Sequence, residues 1–139
     1  MARRPSPQPT DVELQILRVL WERGPSTVRQ VHDALSAARE TGYSTTLKMM
    51  QVMKQKRLVA RDDSVRPQIY RAAHSRQQTQ LRILDDLVQK AFGGSAKRLV
   101  MSMVSANRVS PDELAEIERL VAEAEKAEGE KAKREGGDR

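Results

Sequence analysis

The 139-residue chain has no cysteine. That absence removes disulfides, thiolate metal sites and cysteine nucleophiles together. Aromatics are scarce as well: one Trp, two Tyr and one Phe leave few of the large rings that anchor β-rich cores, while Ala, Leu, Val and Met suit helices. No stretch approaches the roughly 20 apolar residues of a membrane-spanning helix. The basic start Met1-Ala2-Arg3-Arg4-Pro5-Ser6-Pro7 leads into no apolar segment of the kind a secretory signal carries. A mostly α, soluble cytoplasmic protein without membrane insertion is expected. At this length it holds one ordinary domain, or a small domain with an appended dimerisation element, and not a large enzyme.

Catalytic constellations are missing too. His32 and His74 fall in different elements without ligand spacing, so no metal is expected and both read as surface or capping residues. Asp62-Asp63 and Asp85-Asp86 are adjacent pairs, whose carboxylates diverge on a turn or helix instead of sharing one proton; they read as solvated. Gly93-Gly94 lacks a following Lys-Ser/Thr, and no nucleophile elbow or triad pattern occurs. The chain reads as non-enzymatic and without a cofactor.

What is present is positive charge, concentrated in one half. The formal net charge is +6 and the pI about 10.0. Residues 1–82 carry 15 Lys/Arg against 7 Asp/Glu, whereas residues 83–139 carry 10 against 12. A polyanionic partner is therefore expected for the first half.

Within that half the hydrophobic periodicity gives three short helices and a hairpin. Residues 1–9, with three prolines, read as a flexible basic arm, whose Arg3 and Arg4 could follow a minor groove. Thr10 and Glu13 have capping-box spacing, and Val12, Leu14, Ile16, Leu17, Leu20 and Trp21 form an apolar stripe that should stop at Gly24-Pro25. Ser26 is the expected cap of a second helix with Val28, Val31, Ala34 and Leu35 on one face, ending before Gly42. Tyr43 or Ser44 opens a third, with Leu47, Met50 and Met53 as the expected buried set and Arg57 at its close. Leu58–Arg61 and Gln68–Arg71 are β-prone around the polar turn 62–67. Three helices followed by a hairpin over residues 10–74 predict a winged helix-turn-helix, which reads double-stranded DNA.

The third helix is then the recognition helix. Ser44, Thr45 and Thr46 at its start could donate to phosphates or base edges, Lys48 could reach a guanine or a backbone oxygen, and Met49 and Val52 offer apolar contact to thymine methyls. Arg61, Arg66 and Arg71 are spaced along the hairpin to border a groove, Arg61 and Arg66 being the expected phosphate contacts. A protein-interaction adaptor with a basic face is the alternative reading.

Residues 75–124 read as a helical dimerisation region. Ser75 opens a helical pattern broken at Gly93-Gly94, a second stretch spans residues 97–104, and Ser110-Pro111-Asp112-Glu113 is a helix start. Leu84, Leu87, Val88, Leu99, Val100, Met103, Leu114, Ile117 and Val121 form stripes that so short a chain has little to cover. A homodimer is expected, matching a palindromic operator. Residues 125–139, rich in Glu, Lys and Gly, read as a frayed helix end and a disordered charged tail.

In order, Glu13-Leu14-Gln15-Ile16-Leu17-Arg18-Val19-Leu20-Trp21, Thr27-Val28-Arg29-Gln30-Val31, Tyr43-Ser44-Thr45-Thr46-Leu47, Gln68-Ile69-Tyr70 and Ala91-Phe92-Gly93-Gly94 make a specific set. Over about residues 10–122 the chain resembles the BlaI/MecI/CopY family of penicillinase-repressor transcription regulators. The resemblance implies a homodimeric repressor on promoter dyads, with the third helix in the major groove and the C-terminal helices interlocked. It also implies release through cleavage of the arm, triggered by a membrane sensor-protease. The aligned bond is Ser102-Met103, where the β-lactam responders have an Asn-Phe pair. The copper-responsive branch uses cysteine pairs, which this chain lacks. Lys48 and Val52 stand where many relatives carry Thr and Arg, so a different operator sequence is expected.

Overall fold

Thr10 and Glu13 close the box that their spacing predicts. The Thr10 hydroxyl accepts from the Glu13 amide at 3.2 Å, and the Glu13 carboxylate accepts from the Thr10 amide at 2.9 Å. Helix α1 (Asp11–Arg23) follows and stops at Gly24, whose φ of 85° would strain a side chain. The computed structural model describes residues 8–36 and 40–136, so the arm arginines Arg3 and Arg4 lie outside the described residues.

The second helix starts one residue later than its expected cap. Ser26 and Thr27 form a short strand, β1 (Ser26–Thr27), and Thr27 caps α2 (Val28–Ser36), exchanging hydrogen bonds of 3.2 and 2.9 Å with Gln30. Ser26 is buried and donates instead to the Gly24 carbonyl at 2.8 Å. Helix α3 (Tyr43–Gln55) begins after Gly42 with no side-chain cap. It ends in a Schellman closure: Leu58 donates to the Met53 carbonyl at 2.9 Å and Arg57 to the Lys54 carbonyl at 3.0 Å, with Arg57 at φ 62°.

Strands β2 (Val59–Asp62) and β3 (Ile69–Ala72) make the antiparallel hairpin, and β1 pairs with the other edge of β3. Tyr70 faces both Ser26 and Arg61 in the register. From this central strand its buried ring joins Ile16, Leu17, Leu20, Val28, Val31, Leu35, Met50, Met53, Leu58 and Val59 in one core. The chain is a mostly α winged helix in this half.

Helix α4 (Arg76–Ala91) is capped by Ser75, α5 (Ala96–Ser105) by Ser95, and α6 (Pro111–Gly136) by a reciprocal Ser110–Glu113 box. The chain divides into two compact units between Leu87 and Val88, and no described residue of α5 or α6 is buried in the single chain. Helix α6 corrects one expectation, since it continues to Gly136 through residues 125–136. Its Ala, Glu, Lys and Arg are strong helix formers, which outweigh the cost of Gly129.

Candidate nucleic-acid interface

The orientation of α3 decides which of its side chains face outward. Its buried side is Thr46, Met50 and Met53, each 0% exposed, whereas Leu47 is only half-buried. Residues sit about 100° apart around a helix, so placing Thr46 in the core where Leu47 was expected turns the outward face by about 30°. Ser44, Lys48, Gln51 and Gln55 then point most directly away from the core, and all four are exposed. Thr45 is exposed beside them, with Met49 and Val52 half-buried on the flank.

Thr46 is therefore corrected as a DNA-facing candidate. Its hydroxyl is enclosed and lies 3.2 Å from Nδ1 of His32, so it links α2 to α3 inside the domain. Gln51, Lys54 and Gln55 were not expected at the site, yet they line an open depression of about 350 Å³ with Arg61. The available signal was the i+3 and i+7 spacing of Gln51 and Gln55 from Lys48, which places them on its face of the helix.

On the other flank, Thr45, Lys48, Met49 and Val52 line a depression of about 480 Å³ with Thr10, Glu13 and Lys56. Lys56 is not a free cation there. Its ammonium pairs with Glu13 at 2.6 Å, both side chains only 7% exposed, and donates to the Gln8 carbonyl at 3.2 Å.

The wing arginines differ from one another. Arg61 is half-buried and paired with Asp63 at 2.5 Å; Asp63 also accepts from Gln68 at 3.1 Å. The Arg61 hydrogen bond holds the Asp63 carboxyl below the usual carboxylate range. Asp62 is lowered likewise, by the Ser64 hydroxyl and then the Ser64 amide. Arg66 and Arg71 are exposed and make no ion pair among the described residues.

His32 is half-buried, meets the Tyr43 ring edge-on at 5.8 Å and is bonded to Thr46. His74 is half-buried and accepts the Trp21 indole N–H through its carbonyl at 3.0 Å. No cluster of potential metal ligands occurs among the described residues. Of the apolar arm residues, Leu84, Leu87, Val100, Met103, Ile117 and Val121 are exposed, Leu99 and Leu114 half-buried, and Val88 buried. No helix among the described residues is long and apolar enough to cross a membrane.

Residues 9–123 match the family model described as Penicillinase repressor. The chain is also similar to the protein named Transcriptional regulator BlaI in two strains of Mycobacterium tuberculosis, CDC 1551 / Oshkosh and ATCC 25618 / H37Rv. Each is 35% identical over 121 residues, 86% of this chain and 86% of the relative.

Proposed function

The chain belongs to the penicillinase repressor family of transcriptional regulators, which are not enzymes, and from that premise we propose that it represses transcription by binding palindromic promoter operators as a cytoplasmic homodimer. One observation carries the proposal: α3 turns an exposed polar and basic face, Ser44, Lys48, Gln51 and Gln55, away from a core that fixes its other side. A helix of that composition fits a major groove, where Lys48 and the glutamines find base-edge acceptors and donors while Met49 and Val52 approach thymine methyls. The uncapped start of α3 and Arg66 on the wing supply the phosphate contacts that set its register.

The exposed apolar side chains of α5 and α6 in the second unit support the dimer. Signal-dependent release through cleavage at Ser102–Met103 by a membrane sensor-protease belongs to the same proposal. That bond lies inside α5, so cutting it requires the helix to open locally.

A gel-shift on the protein's own upstream DNA against scrambled duplex of equal length, across a salt series, tests the reading. Tight salt-dependent binding lost on scrambling is the expected result; equal, weak binding to both would sink it. Lys48→Ala should cost about 1 to 3 kcal/mol and relax preference at one base pair of each half-site. A loss equal for every sequence would make Lys48 a backbone contact instead.

A further inference from the structure

Between the start of α3 and the wing lies a cleft of about 270 Å³, lined among others by Thr27, Arg29, Tyr43, Arg66 and Gln68, and by no acidic residue. We propose that this cleft seats one phosphodiester of the DNA backbone in each half-site, with Arg29 and Arg66 as its two cationic ligands. The proposal rests on the DNA-binding reading above and adds a site to it.

Arg29 is exposed on α2, and its guanidinium carbon lies 4.5 Å from the centre of the Tyr43 ring. The ring is itself met edge-on by His32. A guanidinium held over an aromatic face loses little rotamer freedom on binding and keeps its N–H groups for a bidentate contact with an oxyanion. Tyr43 is in this sense a positioning residue. Arg66 approaches from the wing, and among the described residues neither arginine is paired with a carboxylate.

The contrast with Arg61 is informative. Arg61 is occupied by Asp63, so its charge is already answered within the hairpin. Arg29 and Arg66 bring two guanidinium groups, neither in an ion pair among the described residues, to one cleft from α2 and the wing, with Tyr43 of α3 between the elements. A backbone phosphate held there would fix the depth and register of α3, which is how phosphate contacts position a reader whose specificity lies elsewhere.

The test uses the full chain on its operator and on scrambled duplex, with single backbone phosphates replaced by neutral methylphosphonates. For the unaltered protein, one position per half-site should weaken binding about tenfold when neutralised. In Arg29→Gln the same replacement should cost less, because only Arg66 is left to meet that phosphate, and in Arg29→Gln with Arg66→Gln it should change nothing further. Arg29→Gln should itself weaken operator and scrambled duplex alike and lower the salt slope by about one per half-site. Arg29→Lys, which keeps the charge and loses the planar fork, should keep the slope and lose affinity.

An unchanged slope and affinity in Arg29→Gln, with its thermal melt unaltered, would overturn the seat. Failure to prefer the operator would overturn the repressor reading alone, because the Arg29 effect on scrambled duplex still decides the seat. Exchange of chloride for inorganic phosphate at matched ionic strength separates the two sources of the anion. If free phosphate at millimolar concentration displaced DNA from the unaltered protein and not from Arg29→Gln, the cleft would belong to a soluble anion.

Discussion

One oxygen of Glu13 accepts both from the Thr10 amide at 2.9 Å and from the Lys56 ammonium at 2.6 Å. The residue that caps α1 thus also anchors the end of α3. Removing only the cation leaves a buried carboxylate with one partner lost, which costs more than the pair contributes. Lys56→Met should therefore destabilise the domain by about 3 kcal/mol in urea unfolding, and Glu13→Gln added to it should recover most of that loss. Additive losses in the double variant would show that the two side chains act independently. Arg57 offers a change of opposite sign. It holds φ 62° at a helix end where glycine is usual, so Arg57→Gly should stabilise by about 1 kcal/mol, read as a higher urea midpoint with an unchanged slope. The helix end at Arg57 is legible locally, whereas the ion pair is not, because Lys56 meets Glu13 across 43 residues of chain.

Among the elements, those with a long apolar stripe and a start or stop residue were legible: α1 with its Thr10–Glu13 box, α4 after Ser75, and α6 after Ser110-Pro111. Strand β1 was not, since two residues carry no periodicity and only their pairing with Ile69 and Tyr70 makes them a strand. The facing of α3 was half legible. Met50 and Met53 are core residues by periodicity alone, but a threonine is a poor core candidate until His32 is known to meet its hydroxyl, so the pattern points Thr46 outward and does not bring out Gln51 and Gln55. The wing carries a pH prediction. Folding lowers the Asp63 carboxyl through Arg61 and the Asp62 carboxyl through Ser64. A depressed folded value means that the stabilisation is present above the unfolded value near about pH 4 and is lost as pH falls through the lower folded values. Amide exchange in residues 59–72, corrected for its intrinsic pH dependence, should show protection that is steady from pH 7 to 5 and falls between pH 4 and 3. Protection unchanged at pH 3 would mean that the carboxylates do not hold the hairpin.

At the scale of the whole molecule, the two units place opposite demands on solvent. The first has its own core, while on α5 and α6 Val100, Met101, Met103, Val104, Ile117, Leu120 and Val121 are each at least 40% exposed in the single chain. Fully burying one such side chain contributes about 1.5 to 3 kcal/mol, so several left wet on two helices favour association over a solvated arm. A second copy would cover them and would place two α3 helices on one dyad, turning the second half-site contact into an intramolecular event. Leu120→Lys with Val100→Lys should therefore yield a monomer in sedimentation equilibrium. Trp21, the only tryptophan, lies in α1 and reports the first unit alone, so its emission should stay as in the unaltered chain. On DNA the double variant should lose the advantage of a dyad over a single half-site and show about half the salt slope, because half as many phosphates are met by one protein particle. If the variant remained dimeric with unchanged dyad affinity, the contact between copies would lie elsewhere, and the exposed faces of α5 and α6 would need another occupant.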